Sequence, residues 1–148
     1  MPIPPFDQHG LLPIGVHDCN LGELQTRFGS FQSSDRRPRL FLKLQDFVAE
    51  LQLARFIRYL LVDGSFVTAK NDPNDIDLVL VLPLTYALTD DLPPDQYRLI
   101  SKRRVHKRFG FDMVVVRENT LEYDEAVAFF QQVRHQPALR KGLLRLQP

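Results

Sequence analysis

The chain has 148 residues, 44% of them hydrophobic and 25% charged, which is the length of one domain and the balance of a soluble globular protein. A formal net charge of +1 excludes the overall excess that marks many nucleic-acid-binding domains, so any polyanion site must come from local charge. A lone Cys19 excludes an intramolecular disulfide and a cysteine-built zinc centre, and no apolar run reaches the roughly 18–20 residues that cross a bilayer, so a cytoplasmic protein with no membrane partner is expected.

Residues 1–20 hold four prolines, Gly10 and Gly15 with no sustained period, and read as an extended N-terminal arm pinned by Leu11, Leu12, Ile14 and Val16. A short helix is expected over Leu21–Phe28, then a loop from Gly29 to Asp35. Leu40, Leu44, Phe47, Val48, Leu51 and Ala54 recur at helical spacing and predict an amphipathic helix to about Arg58. Tyr59–Val62 and Ile76–Leu82 are apolar runs stopped by Gly64-Ser65 and Pro83, and read as buried strands. Pro93-Pro94 opens a helix to about Arg104, Phe111–Val116 is a third strand, and Tyr123, Ala126, Val127, Phe130 and Val133 form a last helical stripe ending near Gln136-Pro137. The order is helix, strand, strand, helix, strand, helix, without repeats or a linker. It predicts one α/β (α+β) domain over 1–148, with helices packed on a small mixed sheet.

Asp75 and Asp77 stand two apart at a strand start, and the period of two sends both carboxylates to one face. Two such groups repel unless a cation lies between them, and Mg²⁺ favours hard oxygen ligands. Asp112 lies between Phe111 and Met113, where a carboxylate without a partner is costly to bury. If the three strands are neighbours, Asp75, Asp77 and Asp112 form a set able to hold a metal pair that polarises phosphate. Gly64 permits close backbone approach after a strand, and exposed N–H groups with the Ser65 hydroxyl offer a cradle for terminal phosphates of a nucleotide. Each part has a plainer reading: an Asp at a strand start is often a turn residue, Gly-Ser is a common loop dipeptide, and Asp112 needs only an Arg or Lys.

Together, Gly64-Ser65, nine residues, Asp75-Ile76-Asp77-Leu78 and the later Phe111-Asp112-Met113 resemble the signature of the DNA polymerase β-like nucleotidyltransferase superfamily. More narrowly, Gly10-Leu11-Leu12-Pro13-Ile14-Gly15, Gly64–Thr68, Pro73–Asp77 and Phe129–Arg134 with Lys141-Gly142 resemble a family of small bacterial nucleotidyltransferase-like proteins of undefined function, over most of the chain. The resemblance implies a nucleotidyltransferase fold and transfer of a nucleoside monophosphate from an NTP such as ATP to an RNA, protein or small-molecule acceptor. It implies that Asp75 and Asp77 bind both Mg²⁺ (or Mn²⁺) ions, that Asp112 binds the catalytic one and helps activate the acceptor hydroxyl, and that Gly64 and Ser65 hold the triphosphate. Asp63 departs from the pattern, standing where the narrower family has a second Gly. The superfamily includes members without catalysis, so the alternative is an inactive nucleotide- or partner-binding module, one component of a toxin–antitoxin or phage-defence pair, with a partner chain or homodimer completing the cleft.

Arg98, Lys102, Arg103, Arg104, Lys107 and Arg108 form a basic run, read either as a solvated helix face or as a docking surface for triphosphate or an RNA acceptor. Thr68 and Lys70 lie in the spacer, within reach of a nucleotide or as turn residues. Arg134, Lys141 and the adjacent Gly142 read either as positions of the narrower family or as helix C-terminal charges, and are left outside the site. The four histidines lack metal-ligand spacing, and nothing near Cys19 lowers a thiol pKa.

Overall fold

A computed structural model describes residues 3–87 and 91–148; the first two residues of the expected arm lie outside them. The arm is irregular up to residue 15, with a turn in which Gly10 N donates to Asp7 O at 3.1 Å, and then enters the sheet as strand β1, Val16–Cys19. Helix α1, Leu21–Phe28, starts at a capping box: Asn20 Oδ1 accepts from Glu23 N at 2.8 Å, and Glu23 Oε1 accepts from Asn20 N at 3.3 Å. Helix α2, Arg36–Ala54, buries Phe41, Leu44, Phe47, Val48 and Leu51 along one stripe. It stops short of the expected Arg58 because Arg55 turns left-handed (φ 53°) and Arg58 N already donates to Val81 O of the sheet at 2.9 Å.

Strand β2, Tyr59–Asp63, is followed by a 3-10 turn, Ser65–Val67, and strand β3, Asp77–Leu82. The expected helix from Pro93 is two helices, α3 (Pro94–Ile100) and α4 (Lys102–Phe109). Ser101 breaks it, because its extended backbone (φ −74°, ψ 109°) ends one helix while its Oγ caps the other by accepting from Arg104 N at 3.4 Å. Strand β4, Asp112–Arg117, and helix α5, Leu121–Gln131, follow. Here the last helical stripe proves too long: α5 ends at Gln131, and residues 132–140 form a hairpin of β5 (Gln132–Val133) and β6 (Gln136–Arg140). A further strand, β7 (Leu143–Leu146), was not expected.

The fold is α+β, with five α-helices among the described residues and a mixed five-stranded sheet in the order β1-β7-β2-β3-β4. β3 is antiparallel to β2 and parallel to β4, while β7 joins β2 antiparallel and β1 in parallel. Both faces are covered. Leu60, Val62, Leu78, Leu80 and Met113 face α1–α4 in the larger core, and Leu61, Val79, Val81 and Val116 face Ala126, Tyr123 and Val127 of α5 in the smaller one. Central strands apolar on both faces explain the unbroken run Leu78–Leu82. No helix among the described residues is long and apolar enough to cross a membrane.

Candidate functional site

The register places Asp63 opposite Asp77 across β2 and β3, and Asp77 opposite Asp112 across β3 and β4. Directly paired residues share a face with Cβ atoms roughly 4.5–5.5 Å apart, so three carboxylates stand in a row at one end of the sheet, on the α5 face. The strands of Asp77 and Asp112 are thus neighbours, and Asp63, the departure from the motif, is the third member of the row.

Asp75 joins the row through the turn after β2. Gly64 has φ 92°, and a Cβ there would stand 2.8 Å from Asp75 O and 3.0 Å from Asp77 N. Only glycine lets the two segments come so close. The Ser65 hydroxyl and backbone N–H both donate to Asp75 Oδ1, at 2.6 and 2.9 Å, while the same hydroxyl accepts from Asn74 N at 2.9 Å. The Ser65 donors therefore orient Asp75 here instead of facing open space. Burial opposes ionisation of Asp75, but these two hydrogen bonds, with the charges of Lys141 and Arg134, hold its pKa below the usual value.

Asp77 is the opposite case. Burial, followed by the charges of Asp75, Asp63 and Asp112, pushes its pKa up to about 7. Asp63 is buried at 3% exposure, and desolvation pushes its carboxyl up to about 6 against the opposing pull of Lys141. Lys141 Nζ approaches Asp63 Oδ1 at 3.0 Å, an ion pair by distance, although that oxygen receives no hydrogen bond of acceptable angle. The sequence offers Lys141 either as a family position or as a helix C-terminal charge. It lies between β6 and β7, where Gly142 seats it: a Cβ at Gly142 would stand 2.0 Å from Pro13 O, Gly142 N donates to Leu12 O at 3.0 Å, and Leu143 N donates to Gly15 O at 2.9 Å. The arm motif Gly10–Gly15 thus buttresses Lys141, and on its other side Ala69 N donates to Gly10 O at 3.0 Å.

Asp112 departs from its expected burial. Its side chain is 74% exposed and lies 3.3 Å from His106 Nδ1, because it opens β4 at the sheet's end, beyond the apolar interior. It does not line the cleft that Asp63, Asp75 and Asp77 share with Gly64 and Ser65. That cleft, about 1030 Å³, is also lined by Lys70, Arg134, Arg140 and Lys141, and by Phe129 and Phe130 of α5. Sequence reasoning missed this meeting of acids and bases, apart from Lys70; the family-like Lys141-Gly142 pair was the signal available for Lys141.

A second missed residue holds the loop that follows Ser65. Arg37, 1% exposed, donates through Nη1 to Phe28 O (3.2 Å) and Phe66 O (2.6 Å), and through Nη2 to Thr68 O (2.8 Å) and Lys70 O (2.6 Å). Its guanidinium also lies 5.9 and 5.6 Å from the Phe28 and Phe66 ring centres. Cys19 has no such setting: burial, with the nearby charges of Glu23 and Asp18, pushes its thiol up to about 12.

Among the described residues, no three His, Cys, Asp or Glu side chains are grouped to hold a metal ion unaided. The donor chemistry nonetheless fits Mg²⁺, which commonly takes only one or two carboxylates and completes its shell with water and substrate phosphates. Asp75 has one oxygen occupied by Ser65, and Asp77 is crowded by like charge that a cation relieves.

Residues 4–147 match DUF6932, described as a family of unknown function, and the chain belongs to that family. No curated protein and no solved structure matches it.

Proposed function

We propose that this member of the DUF6932 family is a metal-dependent nucleotidyltransferase with the polymerase β-like fold. The observation that carries the reading is the bipolar cleft: Asp75 and Asp77 at the sheet's end, with Lys141, Arg134, Arg140 and Lys70 around them. A metal–triphosphate needs both halves, carboxylates for the cation and cations for the phosphates. The strand–Gly64-Ser65–strand arrangement that brings Asp75 beside Asp77 supports the same reading.

Asp75 and Asp77 would hold Mg²⁺ or Mn²⁺, which supplies charge neutralisation at the triphosphate and acidifies the acceptor hydroxyl. Ser65 keeps Asp75 ionised and aimed. Gly64 keeps the turn close to β3. Lys141, Arg134 and Arg140 bind the phosphate oxygens. The acceptor oxygen bonds to the α-phosphorus as the bond from that phosphorus to the α–β bridging oxygen breaks, and pyrophosphate leaves with the electron pair. Asp112, exposed beside Asp77, receives the hydroxyl proton once its side chain turns from His106 toward the cleft. A catalytically inactive nucleotide-binding module is the second reading, favoured by one observation: Asp112 faces His106 and not the cleft.

The test is incubation with each α-labelled NTP, Mg²⁺ or Mn²⁺, and total cellular RNA and protein. Label transfer by the wild type, lost in Asp75→Ala/Asp77→Ala, is expected. Metal-dependent NTP binding without transfer would favour the module, and no metal-dependent NTP binding would overturn both.

A further inference from the structure

A second concavity shares no lining residue with the acidic cleft. It occupies about 850 Å³ against α3 and α4 and is lined by Arg98, Arg103, Arg104, Lys107 and Arg108 with Tyr97, Ser101 and Phe109. Five of its eight lining residues are cations and none is acidic, in a chain whose net charge is only +1. Arg108 is engaged with Glu50 at 2.7 Å; among the described residues the other four cations make no ion pair within 4 Å. Tyr97 is 50% exposed at the rim, and the Arg104 guanidinium lies 5.5 Å from its ring centre. The fold makes this surface by breaking the helix at Ser101, which sets Tyr97 and Arg98 of α3 beside Arg104 and Lys107 of α4.

We propose that this groove binds single-stranded RNA. Unpaired cations along a groove follow a phosphate backbone, and an exposed aromatic with an arginine over its face is a platform for an unstacked base. An acidic protein segment would satisfy the charges but has no use for Tyr97. A duplex keeps its bases stacked and withholds them from the ring. One end of the groove, at Arg108 and Phe109, is joined to Asp112 through Gly110 and Phe111. On the nucleotidyltransferase reading, which this step presumes, the bound strand is the acceptor, and the groove brings its hydroxyl toward Asp112.

Binding is measured by fluorescence anisotropy with a labelled 12-nucleotide single-stranded RNA. Four phosphate contacts weaken affinity roughly 50-fold between 50 and 200 mM salt, from about 0.7 counterion released per contact. Arg103→Glu/Arg104→Glu, at two exposed positions, is expected to lose more than 10-fold in affinity with unchanged thermal stability, and Tyr97→Ala to lose roughly 5–100-fold. No binding, binding indifferent to the charge reversal, or equal binding of a 12-residue polyglutamate would overturn the proposal, as would tighter binding of a 12-base-pair duplex. Asp75→Asn/Asp77→Asn separates this groove from the transferase reading: it must keep RNA affinity. RNA binding by a protein with no metal-dependent NTP binding sinks the enzyme and keeps the groove; the reverse sinks only the groove.

Discussion

Replacing Asp77 by Asn is expected to stabilise the protein in the absence of metal. Asp77 has its pKa raised from 3.8 to about 7 by burial and by Asp75, Asp63 and Asp112. A carboxyl with a raised folded-state pKa binds more protons folded than unfolded, so the penalty is absent below pH 3.8, grows through the interval and is complete above pH 7. Taken at face value the shift corresponds to roughly 4 kcal/mol, but the side chain is only half-buried, and solvent screening reduces this to about 1–2 kcal/mol. For a chain of this size that is a rise of about 3–6 °C in Tm. Thermal melts in EDTA should show Asp77→Asn above the wild type at pH 8 and level with it at pH 4. Mg²⁺ at ten times its Kd should then raise the wild type by about 1.4 kcal/mol and leave the variant unmoved. A variant less stable than the wild type at pH 8 would refute the reasoning, because it would make Asp77 a structural acid satisfied by its surroundings.

Three further perturbations probe the parts around it. Lys141→Met leaves Asp63 buried without its cation and should lose about 3 kcal/mol at pH 8, most of it recovered in Asp63→Asn/Lys141→Met; urea melts of the four proteins measure the coupling. The same variant should bind Mg²⁺ more tightly and NTP more weakly, since Lys141 competes with the metal for the acids but assists the triphosphate, and calorimetric titration with each reads the two directions. Ser65→Ala removes the hydroxyl that donates to Asp75 at 2.6 Å and should weaken Mg²⁺ affinity about 10-fold with little change in Tm. Arg37→Met strands the carbonyls of Phe28, Phe66, Thr68 and Lys70 in the interior and should lose about 3–5 kcal/mol in a urea melt.

What the sequence made legible were elements whose signal is local. Helix α2 shows its 3.6-residue stripe and β3 its unbroken apolar run, and each forms within a few residues of its expected bounds. Gly64 and Asp75 were legible because a tight turn brings them together within a dozen residues. The missed features are products of distance. β1 and β7 are short strands from opposite ends of the chain, paired in parallel, and neither Val16–Cys19 nor Leu143–Leu146 alternates for long enough to declare itself. Lys141 reaches Asp63 only because that pairing carries Gly142 against Pro13. Arg37 sits on a helix whose other signals are amphipathic, and its four carbonyl partners arise from the tertiary path of residues 28–70. The exposure of Asp112 reflects its place at the sheet's end, which a strand's own period does not report. The hairpin after α5 hid within the helical stripe because Val133 happened to fall in phase with it.

The central claim is that Asp75 and Asp77 hold the metal of a bound nucleoside triphosphate. Crystals grown with Mn²⁺ and a non-hydrolysable NTP analogue, with data collected at the manganese edge, test it most directly. An anomalous peak ligated by both carboxylates, with triphosphate oxygens completing its shell and contacting Lys141, is the expected result. A well-ordered triphosphate elsewhere, or manganese bound away from Asp75 and Asp77 while the nucleotide occupies the cleft, would contradict it.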